Sequence, residues 1–230
     1  FGGQVMKNVA GYDVSRLLAG SMGSLGAILD VSLKVLPLPR AQATLRFEMP
    51  QQQAIEQLNR WGGQPLPLSA SAWWADACGA RLYLRLQGAR AAVDAACARL
   101  GGERVPQAEA DALWASLREQ THDWFAPSWQ QPPAETLWRI AVPQTTPPLE
   151  LAGQTLVEWG GTLRWLRSDA EASQVREAAT RAGGHATRFR GGDAAVPVFT
   201  PPQAPLDRIH RQIKLAFDPH GVFPECFGAA

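Results

Sequence analysis

The chain has 230 residues, 46% of them hydrophobic and 19% charged, with a formal net charge of +1. That composition supports a folded core rather than a disordered chain, and the near-zero charge balance gives no electrostatic case for nucleic acid or an anionic membrane surface. No apolar run approaches the roughly 20 residues that span a bilayer, and the three cysteines, Cys78, Cys97 and Cys226, lack C-x-x-C spacing. They fit a reducing compartment such as the cytoplasm, with no disulfide framework and no metal site.

In chain order, "GYDVSRLLAG" reads as a short helix, with Asp13 as N-cap, Val14, Leu17 and Leu18 as its apolar stripe, and Gly20 in the left-handed position after its end. Gly20, Gly23 and Gly26 then precede a stretch, Ala27–Leu36, that alternates with period two and predicts a strand. The three glycines permit positive φ and let bare backbone N–H groups approach a ligand. They equally suit a tight helix-to-strand turn. They are not the G-x-G-x-x-G of a dinucleotide fold, because here the helix comes before the strand. Pro37 and Pro39 end the strand and mark a linker.

From Ala43 the pattern is α+β. A strand at Thr44–Met49, a helix at Gln52–Trp61, strands near Leu68–Trp74 and Arg81–Gln87, a helix at Ala89–Leu100 and a strand at Glu103–Pro106 give β-α-β-β-α-β, the order of a ferredoxin-like sheet. Residues Gly79–Gly102 align without gaps on Gly161–Gly184, 82 positions later. Gly79/Gly161, Leu84/Leu166, Arg85/Arg167, Val93/Val175, Ala96/Ala178 and the closing glycine pairs coincide, which points to a duplicated unit. The second copy begins with a strand at Thr136–Val142, and "PQTTPPLEL" leaves its first helix short or degenerate. Between the copies lie a helix at Ala108–Gln120 and an aromatic loop, "THDWFAPSWQQPP". A last helix at Leu206–Phe217 places Leu206, Ile209, Ile213 and Phe217 at core spacing.

All nine tryptophans fall between Trp61 and Trp165, which sets the middle of the chain apart from its ends. Trp73, Trp74, Trp159 and Trp165 read as core or sheet surface; Trp124, Trp129 and Trp138 are alternatives for lining a pocket. The four histidines are scattered, with no metal-ligand spacing. His122 reads as an ordinary loop histidine, and no residue stands out as catalytic.

The segment "KNVAGYDVSRLLAGSMGSLGAILDVSLKVLPLP" resembles the second half of the FAD-binding domain in the vanillyl-alcohol-oxidase/PCMH flavoprotein superfamily, and within it the glycolate-oxidase-type FAD subunits. "LDRIHRQIKLAFDPHGVF" resembles the helix and turn that return to that domain. The resemblance implies an α+β chain in which 1–40 are the C-terminal part of a PCMH-type FAD domain, 41–192 a ferredoxin-like cap and 193–230 a linker and returning helix. It implies FAD as cofactor, with Gly20, Ser21, Gly23, Ser24, Gly26 and Ile28 lining it and Ala10, Gly11 and Tyr12 close by. It also implies a small 2-hydroxy acid as substrate, an iron–sulfur protein among partner subunits, and membrane association only through such partners.

Three departures qualify it. The family's earlier Gly-rich half does not precede Phe1, which implies a chain truncated at its N-terminus, inactive alone and with an incomplete FAD site. The His-rich motif of related 2-hydroxy-acid dehydrogenases is missing between Gly191 and Phe217, which favours an accessory subunit, as does Met22 where many relatives carry an acid. The tail "FPECFGAA" departs from the usual "F-N-P-G". Two other readings remain: a flavin oxidoreductase of the superfamily acting on lactate, a sugar or an alcohol, and a non-catalytic assembly module.

Overall fold

The computed structural model describes residues 14–129 and 135–225. They fall into two compact units, one comprising the chain through Leu36 together with the part from Thr200 onward, the other Pro37–Phe199.

The second unit is built on an eight-stranded antiparallel sheet. Its strands are β1 (Ala41–Glu48), β2 (Leu68–Asp76), β3 (Gly79–Gly88), β4 (Glu103–Val105), β5 (Thr136–Ala141), β6 (Gln154–Glu158), β7 (Leu163–Ser168) and β8 (His185–Arg190). Its helices are α2 (Gln51–Gly62), α3 (Arg90–Leu100), α4 (Gln107–Arg118) and α5 (Ala172–Arg181). The strand order is β4-β1-β3-β2-β6-β7-β5-β8. Read from either edge inward, each half therefore has the 4-1-3-2 order of a ferredoxin-like sheet, and the halves join edge to edge through β2 and β6. The expected α+β class is present, and the sheet is duplicated, with β-α-β-β-α-β complete in the first copy only. The 82-residue offset carries α3 onto α5 and β4 onto β8.

Why the double glycine recurs is steric. In each copy its second member, Gly102 or Gly184, lies against the first strand of the same copy. A Cβ at Gly102 would run into the Phe47 ring, and one at Gly184 into the Ala141 carbonyl. The helix can return to the sheet there only with no side chain in the way.

The second copy lacks its first helix altogether. Pro143, Pro147 and Pro148 remove backbone donors, and Leu149 and Leu151 instead pack on Trp138, Ile140 and Leu166. Arg164 holds this loop. It is only 1% exposed, and donates to the Gly161 carbonyl at 2.6 Å and the Thr146 carbonyl at 2.8 Å. Burial lowers its pKa to about 10.

One sheet face carries Leu45, Leu82, Leu84, Trp73 and Val157 beneath α2 and α3. The other carries Tyr83, Trp74, Leu137 and Trp165 against α4 and the aromatic segment. Trp114 on α4 donates its indole N–H to Thr44 Oγ1 at 2.9 Å, so the buried ring has its polar atom satisfied. The predicted aromatic loop is in part a 3₁₀ helix, Asp123–Trp129, and it buries Trp124 and Phe125. Trp124 and Trp138 are thus core rather than pocket, and the Trp129 side chain lies outside the described part.

The first unit corrects two expectations. Residues 27–36 form no strand: they pair with nothing among the described residues, and Leu29 is 91% exposed, with Leu33 and Val35 close behind. Alternation alone cannot make a strand, because its hydrogen bonds must come from a neighbour. Helix α6 (Leu206–Phe217) has the predicted bounds but buries none of its residues; Leu206 and Ile209 are exposed and Ile213 and Phe217 half-buried. Helix α1 (Val14–Leu18) is present and its Val14 is buried. Asp13, the expected cap, lies outside the described residues.

We expect Gly184→Ala to cost about 2 kcal/mol or more, since the added carbon meets a backbone carbonyl that cannot rotate away. Gly62→Ala at the end of α2, where nothing lies within 4 Å, should be neutral or mildly stabilising. Thermal unfolding of the two variants side by side checks both.

Candidate functional site

Two places combine polar groups with open space. The first is the glycine loop after α1. The chain leaves the helix through Gly20 (φ +85°) and continues through Met22 (φ +50°) and Gly23 (φ +76°). Ser21 N–H bonds to the Leu18 carbonyl at 3.1 Å, and Ser24 closes the next turn by donating both N–H (2.9 Å) and Oγ–H (2.7 Å) to the Ser21 carbonyl. A Cβ added at Gly20, Gly23 or Gly26 would meet nothing within 4 Å. Among the described residues the glycines therefore border open space, which suits a ligand cradle and an exposed turn alike.

Of the residues expected to line FAD, the structure brings Gly20, Ser21, Gly23, Ser24, Gly26 and Ile28 together in this one loop, with Ile28 exposed and Ser24 buried. Ser24 has its hydroxyl and N–H committed to the turn, so its part is to shape the loop. Ala10, Gly11 and Tyr12 lie outside the described residues.

A lysine on α6 fastens the loop. Lys214 Nζ donates to the Ser24 carbonyl at 2.8 Å, to Asp218 Oδ2 at 2.6 Å and to the Phe223 carbonyl at 2.7 Å. Asp218 in turn accepts the N–H groups of Val222 (2.8 Å) and Phe223 (2.9 Å). Beside Lys214, and with those two N–H donors, the Asp218 carboxyl is held down at about 2. Sequence reading found the "DPHG" turn but not this lock, because Ser24 and Lys214 are 190 positions apart.

The second place is a cleft of about 890 Å³ in the sheet unit. Strand β6 ends at Glu158 opposite Ala72, while β2 runs on to Leu68, so the sheet has a notch there. Arg85, Arg118 and Arg139 line it together with Trp114, Trp159 and Trp165. Arg85 lies over the Trp114 ring at 5.2 Å and Arg139 over the Trp159 ring at 5.6 Å. Glu158 accepts the Trp165 indole N–H at 2.7 Å, and burial raises its pKa against the opposing pull of that bond and of Arg139. Trp159 has φ +51° and is 65% exposed, an unusual conformation for a bulky residue. The sequence signal for this cleft was slight: arginines at strand positions where the opposite face is apolar.

Cys78 and Cys97 are free thiols. Among the described residues no three His, Cys, Asp or Glu gather into a metal-binding group, and no helix is long and apolar enough to cross a membrane.

The structure thus defines an α+β chain with a duplicated ferredoxin-like sheet and a separate open glycine loop. No protein-family model matches the chain. It is 47% identical over 224 residues, 97% of its length, to the glycolate oxidase subunit GlcE of Escherichia coli (strain K12). A shorter stretch of 44 residues is 46% identical to the glycolate oxidase subunit GlcD of Bacillus subtilis (strain 168), covering 19% of this chain and 9% of that protein. The chain is similar in sequence to these two glycolate oxidase subunits and spans 59% of the length of the first.

Protonation of Asp218 tests the lock. A carboxyl depressed in the folded state stabilises fully above its unfolded value near 3.8, and that stabilisation is lost as pH falls through about 2. NMR titration of Asp218 should show this low midpoint, and Lys214→Met should move it upward. Asp218→Ala should speed amide exchange at Val222 and Phe223.

Proposed function

We propose that this chain is the cap and part of the flavin site of a glycolate-oxidase-type, FAD-dependent oxidoreductase subunit. The identity to a glycolate oxidase subunit along nearly the whole chain carries this reading. The glycine loop fits the cofactor physically. FAD presents phosphate and ribityl oxygens that backbone N–H groups can approach only where side chains are absent, and Gly20, Gly23 and Gly26 leave that space open.

On this reading the loop from Gly20 to Ile28 holds FAD by main-chain donors, with Ala10, Gly11 and Tyr12 as its neighbours. The lock of Lys214 and Asp218 keeps the loop in place when FAD is absent, so less ordering entropy is lost on binding. FAD supplies the redox chemistry, taking two electrons from a small 2-hydroxy acid such as glycolate and passing them on. The onward acceptor is an iron–sulfur protein among partner subunits. The complex works in the cytoplasm, with any membrane association made through those partners. The exposed apolar side chains of residues 27–36 are then a surface that the rest of the flavin domain covers.

The test uses the full-length subunit purified with its partners. It should be yellow, with flavin absorbance near one equivalent, and should oxidise glycolate. Gly26→Val, at a glycine without positive φ, should lower FAD affinity at least tenfold, about 1.4 kcal/mol, with little change in thermal stability of the FAD-free protein. A colourless preparation that takes up no FAD would sink the flavin reading in favour of an assembly role. Flavin retention with turnover of lactate or an alcohol instead of glycolate would redirect the substrate alone.

A further inference from the structure

The repeat supplies an internal comparison that the flavin reading does not use. Arg85 and Arg167 are equivalent positions on β3 and β7, and both project from the sheet face that carries α4. Each lies over a tryptophan, Trp114 and Trp124 respectively, at 5.2 Å. Their other partners differ. Arg167 is buried, with Nη1 donating to the Trp124 carbonyl and Nη2 to Gln154 Oε1, each at 2.6 Å, and with the Glu135 carboxylate at 3.2 Å from Nε. Arg85 is half-buried and donates Nε–H to Ser69 Oγ at 3.0 Å. Among the described residues it forms no ion pair. The nearby charges that act on it are Arg118 and Asp111, and Asp111 Oδ1 already accepts from Gln42 (3.0 Å) and Gln107 (2.8 Å). Where the second copy holds a carboxylate of its own, the first opens onto the cleft.

We propose that the cleft binds an organic carboxylate with an aromatic or comparably flat apolar body, its carboxylate on Arg85 beside Arg118 and its body along Trp165 and Trp159. Three features select that ligand class. The guanidinium of Arg85 lies over the Trp114 ring and, with only Nε bonded among the described residues, keeps its two amino groups for hydrogen bonds to a carboxylate. Asp111 and Glu158 also line the cleft, and against three arginines they leave room for one negative charge but disfavour a multiply charged phosphate. The volume of about 890 Å³ is in the range of sites for drug-sized ligands and far exceeds what a two-carbon acid fills. Burial disfavours the charged form of Arg85, so an arriving anion gains from a partly desolvated partner. The strained, exposed Trp159 at the rim is the kind of outlier that clusters at ligand clamps.

The experiment is isothermal titration of the 230-residue chain with 3-phenylpropionate, its uncharged analogue 3-phenylpropan-1-ol, glycolate and inorganic phosphate. Saturable binding of 3-phenylpropionate is expected, with the alcohol, glycolate and phosphate each weaker by roughly tenfold or more. Arg85→Gln should weaken the acid by a similar factor, Arg85→Lys by less, and the surface control Arg90→Gln not at all. Trp159→Ala changes an exposed side chain, so it keeps the test usable if Arg85→Gln fails to fold, and it should also weaken binding. Unfolding curves without ligand report the folding of each variant. Absence of saturable binding at millimolar acid would overturn the proposal. So would equal affinity for the alcohol, tighter binding of phosphate, or binding unchanged in both Arg85→Gln and Trp159→Ala. None of these outcomes depends on whether FAD is bound elsewhere.

Discussion

Strands β2 and β6 meet over three residue pairs, Ala72–Glu158, Trp73–Val157 and Trp74–Leu156, and this seam turns two four-stranded sheets into one. Each half would otherwise present its second strand as an open edge, a row of unpaired N–H and C=O groups that invites misassociation. The seam is short because β6 has only five residues against nine in β2. Pairing stops at Glu158, three left-handed residues, Trp159, Gly160 and Gly161, turn the chain away, and the unfilled length of β2 becomes the wall of the cleft. The same constraint therefore closes the sheet and opens a cleft of about 890 Å³ beside the seam.

Duplication has left the two halves alike in backbone and unlike in what their polar side chains do. The terminal glycine pairs, Val93/Val175 and Ala96/Ala178 hold the same structural places in both. Arg85 and Arg167 both lie over a tryptophan ring, but among the described residues only Arg167 is paired with a carboxylate. The missing helix in the second half has a similar logic. Prolines prevent it, two leucines cover the apolar face it would have covered, and Arg164 ties the replacement loop down through carbonyl groups. A buried guanidinium bonded only to carbonyls remains charged, at the cost of a lowered pKa.

The smaller unit shows a different balance. A tight polar cluster, Lys214 with Asp218 and the carbonyls of Ser24 and Phe223, joins two segments far apart in the chain. Around it, Leu29, Leu33, Val35, Leu206 and Ile209 are exposed. Apolar residues in such numbers along one stretch and one helix are not a normal monomer surface, and a flavin-domain remainder covering them is what the proposed function supplies.

The amino-acid sequence by itself determined the elements of the larger unit, because hydrophobic period, glycine stops and proline breaks are local signals that survive translation into backbone. It also showed the duplication, through coincidences 82 positions apart, and the glycine loop, through spacing alone. Three matters were decided only in the tertiary structure. Residues 27–36 alternate like a strand, yet strand hydrogen bonds need a neighbour that local sequence cannot name. Helix α6 has core spacing, yet burial depends on what packs against it. The cleft gathers Arg85, Arg139 and the Glu158–Trp159 pair from three different stretches of chain, and no local pattern records that proximity. Periodicity is written in neighbouring residues; a site assembled from distant strands exists only once the sheet order has been chosen.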